Sequence, residues 1–317
     1  MRRWRVADGP LRQSGLLHSE YLRLAPGAPE RETGVVEPAA ERSAGTTAEK
    51  GVSGPGTTVT GSLGPREIVA SESRPHRVGG GTCVTRSVLV TGGSRGIGLA
   101  VAQSFAAQGD RVAVTYQSSG APEGLFGVRC DVTKADEVNA AFEAVEAENG
   151  PVEVLVANAG ITRDTLLLRM TDDDWSAVID TNLTGAYRVA RRAARGMLRS
   201  HSGRMIFVSS VVGLSGSAGQ SNYAATKAGL VGFARSIARE FGSRGITANV
   251  VAPGFVDTEL TAVLSDGRRA ELLEQIPLKR YASPKEIAGV VRFLASDEAA
   301  YITGAVIPVD GGLGMGH

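Results

Sequence analysis

Short apolar runs alternate with longer amphipathic stretches from about residue 85 to the end of the chain. The runs are rich in Val, Ile and Ala and predict strands at 88–90, 112–116, 127–132, 152–156, 205–208, 247–252 and 305–310. Apolar spacings of three and four residues between the strands predict helices, among them 134–149, 223–241 and one opened by Ser283 as cap with Pro284 in its first turn. Strands that alternate with helices in this way predict an α/β protein built on a parallel sheet.

Residues 1–83 show neither period. They are rich in Gly, Pro, Glu, Arg, Ser and Thr, and their only aromatic residues are Trp4 and Tyr21. Such a segment buries too little apolar surface to offset its ordering entropy, so we expect a disordered extension. Three interpretations are open: a disordered tail, a regulatory or targeting arm, and a start site assigned too early. We favour the last, with a catalytic domain at 84–317.

Composition narrows the function classes. The formal net charge is +1, which gives no electrostatic reason to expect nucleic acid or a membrane surface as partner. Cys83 and Cys130 form no disulfide framework, and the four histidines are scattered without zinc-like spacing. A reducing cytoplasm is therefore the expected compartment, and we expect no metal. No apolar run approaches the roughly 20 residues of a membrane span.

The first predicted strand runs directly into the glycine-rich stretch TGGSRGIG at 91–98, and a helix follows to about Gln108. Strand, glycine turn and helix are the context that a dinucleotide fingerprint requires, here with the spacing GxxxGxG. The turn lets the backbone approach a pyrophosphate, and the helix N-terminus supplies free N–H groups. The residues expected to line this cradle are Gly92, Ser94, Arg95, Gly96, Ile97 and Gly98.

The second strand ends in Thr115-Tyr116-Gln117, without the carboxylate that an NAD enzyme usually places there. Arg95 lies in the glycine turn, beside the expected adenosine ribose. A cation combined with a missing carboxylate favours a 2′-phosphate and hence NADP. The alternative is that Arg95 is only a solvated loop cation. Asp131, at the tip of the third strand, is placed to meet the adenine amino group, and Asn158 and Gly160 end the fourth strand, where such sheets bind ligands.

Candidate catalytic residues follow the fifth strand. Tyr223 and Lys227 are four residues apart on a predicted helix and so share one face, and Ser210 lies at the preceding strand tip. A free tyrosine has a pKa of about 10, and a nearby ammonium is expected to lower it toward the working range. The YxxxK pattern alone occurs by chance, so the other motifs decide its meaning. Asn182, on a helix opened by a Thr171–Asp174 capping box, is either a satisfied core amide or a functional residue.

The motifs form a specific set when their order and intervals are considered together. They are TGxxxGxG at 91–98, Asn158-Ala159-Gly160, Asn182, Ser210, Tyr223-x-x-x-Lys227 and Pro253-Gly254. This set resembles the short-chain dehydrogenase/reductase family and, within it, the bacterial 3-oxoacyl-[acyl-carrier-protein] reductases of the actinobacterial branch, over about residues 85–317. The resemblance implies an α/β fold with a Rossmann-like, doubly wound parallel sheet of seven strands in the order 3-2-1-4-5-6-7, as a single domain. It also implies a cytoplasmic homotetramer in fatty acid biosynthesis.

The activity implied by the resemblance is hydride transfer from NADPH to the 3-keto carbon of an acyl group on acyl carrier protein, which gives a 3-hydroxyacyl product. Tyr223 would protonate the oxygen and bind substrate together with Ser210. Lys227 would lower the tyrosine pKa and hold the nicotinamide ribose, and Asn182 would hold a water in the proton relay. The remaining implied cofactor contacts are Asp131 and Val132 at adenine, and Val256 and Thr258 at the nicotinamide amide.

Several points stay open in the sequence. Gln117-Ser118-Ser119 stands where related reductases carry a second basic residue, so the NADP preference depends on Arg95. The connection 255–283 is interpreted as a substrate lid. The arginine-rich stretch 188–199 is either a solvated face or a docking surface for an acidic carrier. The rival functions are another short-chain reductase or dehydrogenase acting on a polyketide, steroid, sugar or alcohol, and a cofactor-binding regulator without activity.

Overall fold

The computed structural model describes residues 85–258 and 266–315, which lie within one compact unit, Arg74–His317. The expectations for residues 1–83, and the part of the predicted lid at 259–265, lie outside the described residues. Seven strands form one sheet in the described part: β1 Ser87–Val90, β2 Arg111–Tyr116, β3 Phe126–Arg129, β4 Val154–Ala157, β5 Gly203–Val208, β6 Ile246–Pro253 and β7 Val306–Val309.

The sheet is parallel at every pairing and has the strand order β3-β2-β1-β4-β5-β6-β7. This confirms the doubly wound α/β fold. The winding reverses between β1 and β4, which are hydrogen-bonded neighbours in the sheet. In such sheets the carboxyl ends of the strands diverge at the reversal and leave a crevice for a ligand. Both the glycine turn and the Asn158 segment follow strands that border this crevice.

Eight α-helices are described: α1 Gly96–Ala106, α2 Ala135–Asn149, α3 Asp172–Ile179, α4 Gly185–Ser200, α5 Val212–Ser215, α6 Ser221–Phe241, α7 Asp266–Gln275 and α8 Pro284–Leu294. Helices α2, α4 and α6 bury their apolar sides against one face of the sheet, and α1 and α8 cover the other. The predicted capping box of Thr171 with Asp174 is present at α3, and the predicted cap Ser283 at α8 also forms a capping box, with Glu286. Helix α7 occupies part of the connection that was predicted to be a lid.

Several element boundaries differ by one to three residues from the sequence prediction, and β3 and β4 are examples. Strand β3 ends at Arg129 rather than at Val132, because Asp131 leaves the ladder. Its backbone N–H donates to Glu137 at 2.8 Å, and its carboxylate accepts from the backbone N–H of Thr133 at 2.9 Å. Strand β4 begins at Val154, two residues later than the apolar run suggested. Asp131 therefore belongs to the loop at the strand tip, where ligand-binding residues lie in this type of sheet.

The region around Asn182 also differs. The sequence predicted that the helix opened by Thr171 carries Asn182, but α3 ends at Ile179 and a π-helical turn, Asp180–Thr184, precedes α4. The wider turn holds Asn182 in a buried position. Single π turns inside helices are rare and often occur at functional sites. Here the turn places an amide side chain next to the end of β4.

Candidate active site

The glycine turn between β1 and α1 has a backbone that other residues would disturb. Gly92 and Gly96 have φ values of +63° and +55°, in the left-handed region that favours glycine. A side chain at Gly98 would collide with the carbonyl oxygen of Gly92 and lie 2.5 Å from the side-chain amide nitrogen of Asn158. The turn therefore exposes backbone at the start of α1, where the first N–H groups have no partner within the helix.

Asn158 fastens this turn to the end of β4. Its side-chain amide donates to the carbonyl oxygens of Thr91 at 3.0 Å and Gly92 at 2.9 Å. The Thr91 hydroxyl accepts from the backbone N–H groups of Asn158 at 3.1 Å and Ala159 at 3.2 Å. The crevice between β1 and β4 is thus bridged by fixed hydrogen bonds. A cradle of glycine backbone at a helix N-terminus fits a dinucleotide pyrophosphate.

The tip of β2 carries polar groups and no acid of its own. The Gln117 side-chain amide donates to the Asp131 carboxylate at 3.2 Å, and the Ser119 hydroxyl donates to the Ser94 hydroxyl at 2.7 Å. Arg95 is exposed, in extended backbone immediately before α1. The structure therefore brings the glycine turn, through Ser94, against the loop that follows β2, and the binding of adenosine there by Arg95 stays a prediction. The Ser94–Ser119 contact was not predicted.

Other predicted cofactor residues surround the same edge of the sheet. Val132 packs under α4, where a side chain added at Gly185 would lie 2.7 Å from its methyl group. The Thr258 methyl group lies 3.7 Å from the position of a Cβ at Gly96, next to the glycine turn. Val256 is buried and pairs with Ala282 in an isolated parallel bridge. Ile97, in the first turn of α1, is partly buried and packs against the core between α1 and the sheet.

Ser210, Tyr223 and Lys227 meet at the carboxyl end of β5. Ser210 follows the strand, and its hydroxyl accepts from the backbone N–H of Val212 at 3.2 Å. Tyr223, in the first turn of α6, hydrogen-bonds to the Ser210 hydroxyl through its phenol. The Lys227 ammonium lies 5.4 Å from the centre of the tyrosine ring. The predicted trio is therefore assembled, with two hydroxyl groups converging on one point.

Burial changes the proton affinities at this trio. Burial raises the pKa of Tyr223 to about 12; the hydrogen bond from Ser210 opposes the rise, and the charge of Asp164 adds to it. Burial lowers the pKa of Lys227 to about 8. The ammonium donates to the carbonyl oxygen of Val208 at 2.8 Å. Burial therefore dominates the pKa of Tyr223, and a lowering of that pKa by Lys227 stays a prediction.

Asn182 uses its side chain to hold the segment after β4. Its amide oxygen accepts from the backbone N–H of Ile161 at 2.8 Å, and its amide nitrogen donates to the Ile161 carbonyl at 2.9 Å and to the Thr226 hydroxyl at 3.3 Å. Both amide N–H groups are therefore committed to protein. Gly160 lies beside this amide, and a Cβ there would be 3.1 Å from the Asn182 oxygen and 3.7 Å from the Lys227 nitrogen.

A polar clip that the sequence did not reveal joins two loops near Tyr223. The Gln220 side chain donates to the Asp164 carboxylate at 2.8 Å, and the backbone N–H of Thr165 donates to the Gly219 carbonyl at 2.8 Å. A cleft of about 450 Å³ lies beside the clip, lined by residues 161–165 and Asp174. The partners are about 55 residues apart in the chain, so only the fold brings them together.

Comparisons with known proteins agree with this geometry. A family model described as Enoyl-(Acyl carrier protein) reductase matches residues 92–314. The 3-oxoacyl-[acyl-carrier-protein] reductase MabA of Mycobacterium tuberculosis is 61% identical over 234 residues, which cover 74% of this chain and 95% of that protein. The corresponding MabA of Mycobacterium avium is 59% identical, with 74% and 92% covered. The 3-oxoacyl-[acyl-carrier-protein] reductase FabG of Escherichia coli is 48% identical over 235 residues, with 72% and 96% covered.

A doubly wound sheet, a dinucleotide cradle and a Ser–Tyr–Lys trio beside it define the class of a nicotinamide-dependent oxidoreductase. The chain belongs to the short-chain dehydrogenase/reductase family, as its motifs suggested. Within the described ranges, no helix has both the length and the apolar character needed to cross a membrane.

Proposed function

We propose that the chain catalyses the NADPH-dependent reduction of 3-oxoacyl-[acyl-carrier-protein] to 3-hydroxyacyl-[acyl-carrier-protein] in fatty acid biosynthesis. The observation that carries the proposal is the convergence of the Ser210 and Tyr223 hydroxyls beside the nucleotide cradle. Two O–H donors at one point suit a carbonyl oxygen that gains negative charge. The names and identities of the MabA and FabG relatives support the acyl-carrier-linked substrate.

The mechanism assigns the proton to Tyr223. When bound, the reduced nicotinamide supplies a hydride to the carbonyl carbon. Ser210 and Tyr223 donate hydrogen bonds to the carbonyl oxygen, and Tyr223 transfers its proton as the oxygen becomes an alkoxide. A tyrosine with a pKa of about 12 is fully protonated at neutral pH, which is the form that an acid catalyst requires. Lys227, with a pKa of about 8, is a stronger acid and can return a proton to the phenolate.

Lys227 and Asn182 also have positioning roles in the proposal. One N–H of the Lys227 ammonium is held by Val208, so two remain to bind the nicotinamide ribose hydroxyls. Asn182 holds Ile161 and thereby the glycine at 160, which leaves room between β4 and Lys227. Because both Asn182 side-chain N–H groups are committed, a relay water would have to bind other atoms of the π turn.

We further propose NADP(H) as the nucleotide. The cradle fits the pyrophosphate, and the exposed Arg95 with the acid-free tip of β2 favours a 2′-phosphate. Asp131 and Val132 would flank the adenine, and Asn158 and Gly160 the nicotinamide side. Val256 and Thr258 complete the set at the nicotinamide amide. Each of these contacts is a proposal that the positions of the side chains support.

The assembly and the partner are proposed on the same basis. Acyl carrier protein presents the substrate, and the chain forms a homotetramer through α4, α6 and the C-terminal segment. Exposed apolar side chains on two of these elements support this, Tyr187 on α4 and Met315 in the C-terminal segment. The described cysteine, Cys130, is a buried free thiol, as expected for the reducing cytoplasm that we propose. Residues 84–317 carry the whole activity.

A substrate panel tests the proposed reaction. Purified protein with NADPH is given acetoacetyl-CoA, crotonoyl-CoA and a cyclic ketone in separate assays, and the loss of NADPH absorbance is followed. We expect acetoacetyl-CoA to be reduced at least about tenfold faster than the other two, because Ser210 and Tyr223 would donate hydrogen bonds to the carbonyl oxygen of its 3-keto group. Faster reduction of crotonoyl-CoA would instead favour the double-bond chemistry in the family model's description. Preference for the cyclic ketone would favour another short-chain reductase.

A further inference from the structure

Arg129 lies beside the β2 tip, where the sequence offers no second cation after the strand. It is the last residue of β3 and is paired with Tyr116, the last residue of β2. Its guanidinium Nε donates to the carbonyl oxygen of Gln117 at 3.2 Å. The arginine of β3 is therefore hydrogen-bonded to the backbone at Gln117, the stretch in which related reductases carry a second basic residue.

The sheet geometry gives the side on which Arg129 projects. Val112 and Val114 of β2 pack into the core with α1, so every second residue of β2 faces that helix. Tyr116 has the same parity, and Arg129 is its direct partner in a parallel pair. Side chains of paired residues lie on the same face of a sheet. Arg129 therefore projects from the face of the sheet that α1 covers. The glycine turn and Arg95 immediately precede α1 in the chain.

The surroundings of Arg129 suit an anion. Its Nε is anchored, and neither terminal amino group has a hydrogen-bonded or ionic partner among the residues that the structure describes. The nearby carboxylate of Asp131 is occupied by Thr133 and Gln117. The Ser94–Ser119 hydrogen bond connects the glycine turn to the loop between β2 and β3, so both loops border the same space.

We propose that Arg129 and Arg95 together bind the 2′-phosphate of NADP(H), with the hydroxyls of Ser94 and Ser119 between them. A guanidinium anchored at Nε presents its two amino groups as a fork, which matches phosphate oxygens in a bidentate contact. Arg129 thus replaces, from β3, the basic residue that is absent after β2. This inference rests on the proposed NADP preference and extends it to a specific side chain.

The test is a calorimetric titration of the full chain with adenosine 2′,5′-bisphosphate and, separately, with adenosine 5′-monophosphate. The two ligands differ only in the 2′-phosphate. We expect Arg129→Ala to raise the dissociation constant of the bisphosphate roughly tenfold and to leave that of the monophosphate unchanged, as for loss of one charge-assisted contact. Arg129→Lys, which keeps the charge but not the fork, should fall between Arg129→Ala and the unaltered chain.

Arg111→Ala is the matched control. It removes an arginine of β2 that also donates to a backbone carbonyl, that of Thr85 at 3.4 Å. Arg111 is the first residue of β2 and so lies at the amino ends of the strands, away from the β2 tip. It should change neither titration. Bisphosphate affinity within about twofold of the unaltered chain in Arg129→Ala, or an equal loss for both ligands, would overturn the assignment. No acyl substrate is present, so failure of the proposed reductase activity is measured independently of this result.

Discussion

At the scale of single residues, burial separates the proton affinities of Tyr223 and Lys227. The pKa of the phenol rises to about 12 and that of the ammonium falls to about 8. At neutral pH both groups therefore carry their protons, and the lysine is the stronger acid. This arrangement suits a reduction, in which the enzyme must supply a proton and then replace it.

The lowered pKa of Lys227 predicts a pH-dependent stability. Its value in the unfolded chain is the ordinary 10.5, so between pH 8 and 10.5 the folded state binds fewer protons than the unfolded state. The free energy of unfolding of the wild type should therefore rise with pH in that window, by at most about 1.4 kcal/mol per pH unit from this group. Below pH 8 the full cost of the buried charge is present.

Lys227→Met removes that charge, so we expect the variant to gain most in stability relative to the wild type below pH 8. The gain should shrink between pH 8 and 9.5, below the window in which Tyr223 titrates. Urea unfolding at pH 7 and pH 9.5 measures the two differences. Lys285→Met, at an exposed position of α8, is the control and should show no such trend. An equal difference at both pH values for Lys227→Met would contradict the buried-cation account.

At the scale of elements, turns and helix starts were the parts that the sequence predicted best. The glycine turn at 91–98 and the Thr171 and Ser283 capping boxes have side-chain requirements that are visible in the residue types. The π turn at Asp180–Thr184 was not predicted, because it depends on backbone hydrogen bonds that no residue type specifies. The early end of β3 depends on the Asp131 side chain, whose partners only the fold supplies.

Gly98→Ala tests the cradle as an element. A methyl group there has no room beside the Gly92 carbonyl and the Asn158 amide, so the turn must move. We expect nucleotide affinity to fall more than about tenfold and the free energy of unfolding to fall by about 1–3 kcal/mol. Gly289→Ala, in α8, meets nothing within 4 Å and should keep nucleotide affinity and gain about 0.5–1 kcal/mol. Calorimetric titration with NADPH and urea unfolding measure both. Unchanged nucleotide affinity in Gly98→Ala would contradict the cradle.

At the scale of the whole molecule, the strand order followed from the family resemblance, and the sheet confirms it. The arginine-rich stretch of α4 is divided by the fold. Arg188 pairs with Asp180 and Arg192 with Glu146, while Arg195 and Arg199 are exposed. Helix α4 starts at the catalytic edge, so these two lie about 15 and 21 Å along it. A carrier docked there must present its acyl group across that distance. Sequence spacing alone could not separate the paired arginines from the exposed ones.

Charge reversal tests this surface as a carrier-docking site. Arg195→Glu and Arg199→Glu should each raise the KM for a carrier-linked 3-oxoacyl substrate several-fold, because an acidic carrier would be repelled. The KM for acetoacetyl-CoA should stay unchanged, since this substrate needs no docking. Lys285→Glu reverses one charge on a different helix and should affect neither substrate. Equal KM values for the carrier-linked substrate in all four proteins would assign the two arginines to a solvated face.

Removal of residues 1–83 tests the domain organisation. We expect the chain 84–317 to equal the full chain in kcat and KM for acetoacetyl-CoA and in its thermal midpoint, because all proposed site residues lie within the shorter chain. Steady-state kinetics and thermal unfolding of the two proteins, side by side, make the comparison. A substantial loss of activity in the shorter chain would give the extension a functional role.

The most direct test of the central claim is the turnover of Tyr223→Phe with acetoacetyl-CoA and NADPH, measured together with NADPH binding by fluorescence. The account predicts that turnover falls by about 10²–10⁴-fold, the usual contribution of a general acid, while NADPH affinity stays the same. Tyr301→Phe, at a fully exposed tyrosine, should match the wild type in both measurements. Turnover that survives in Tyr223→Phe with intact NADPH binding would show that another group supplies the proton and would contradict the mechanism.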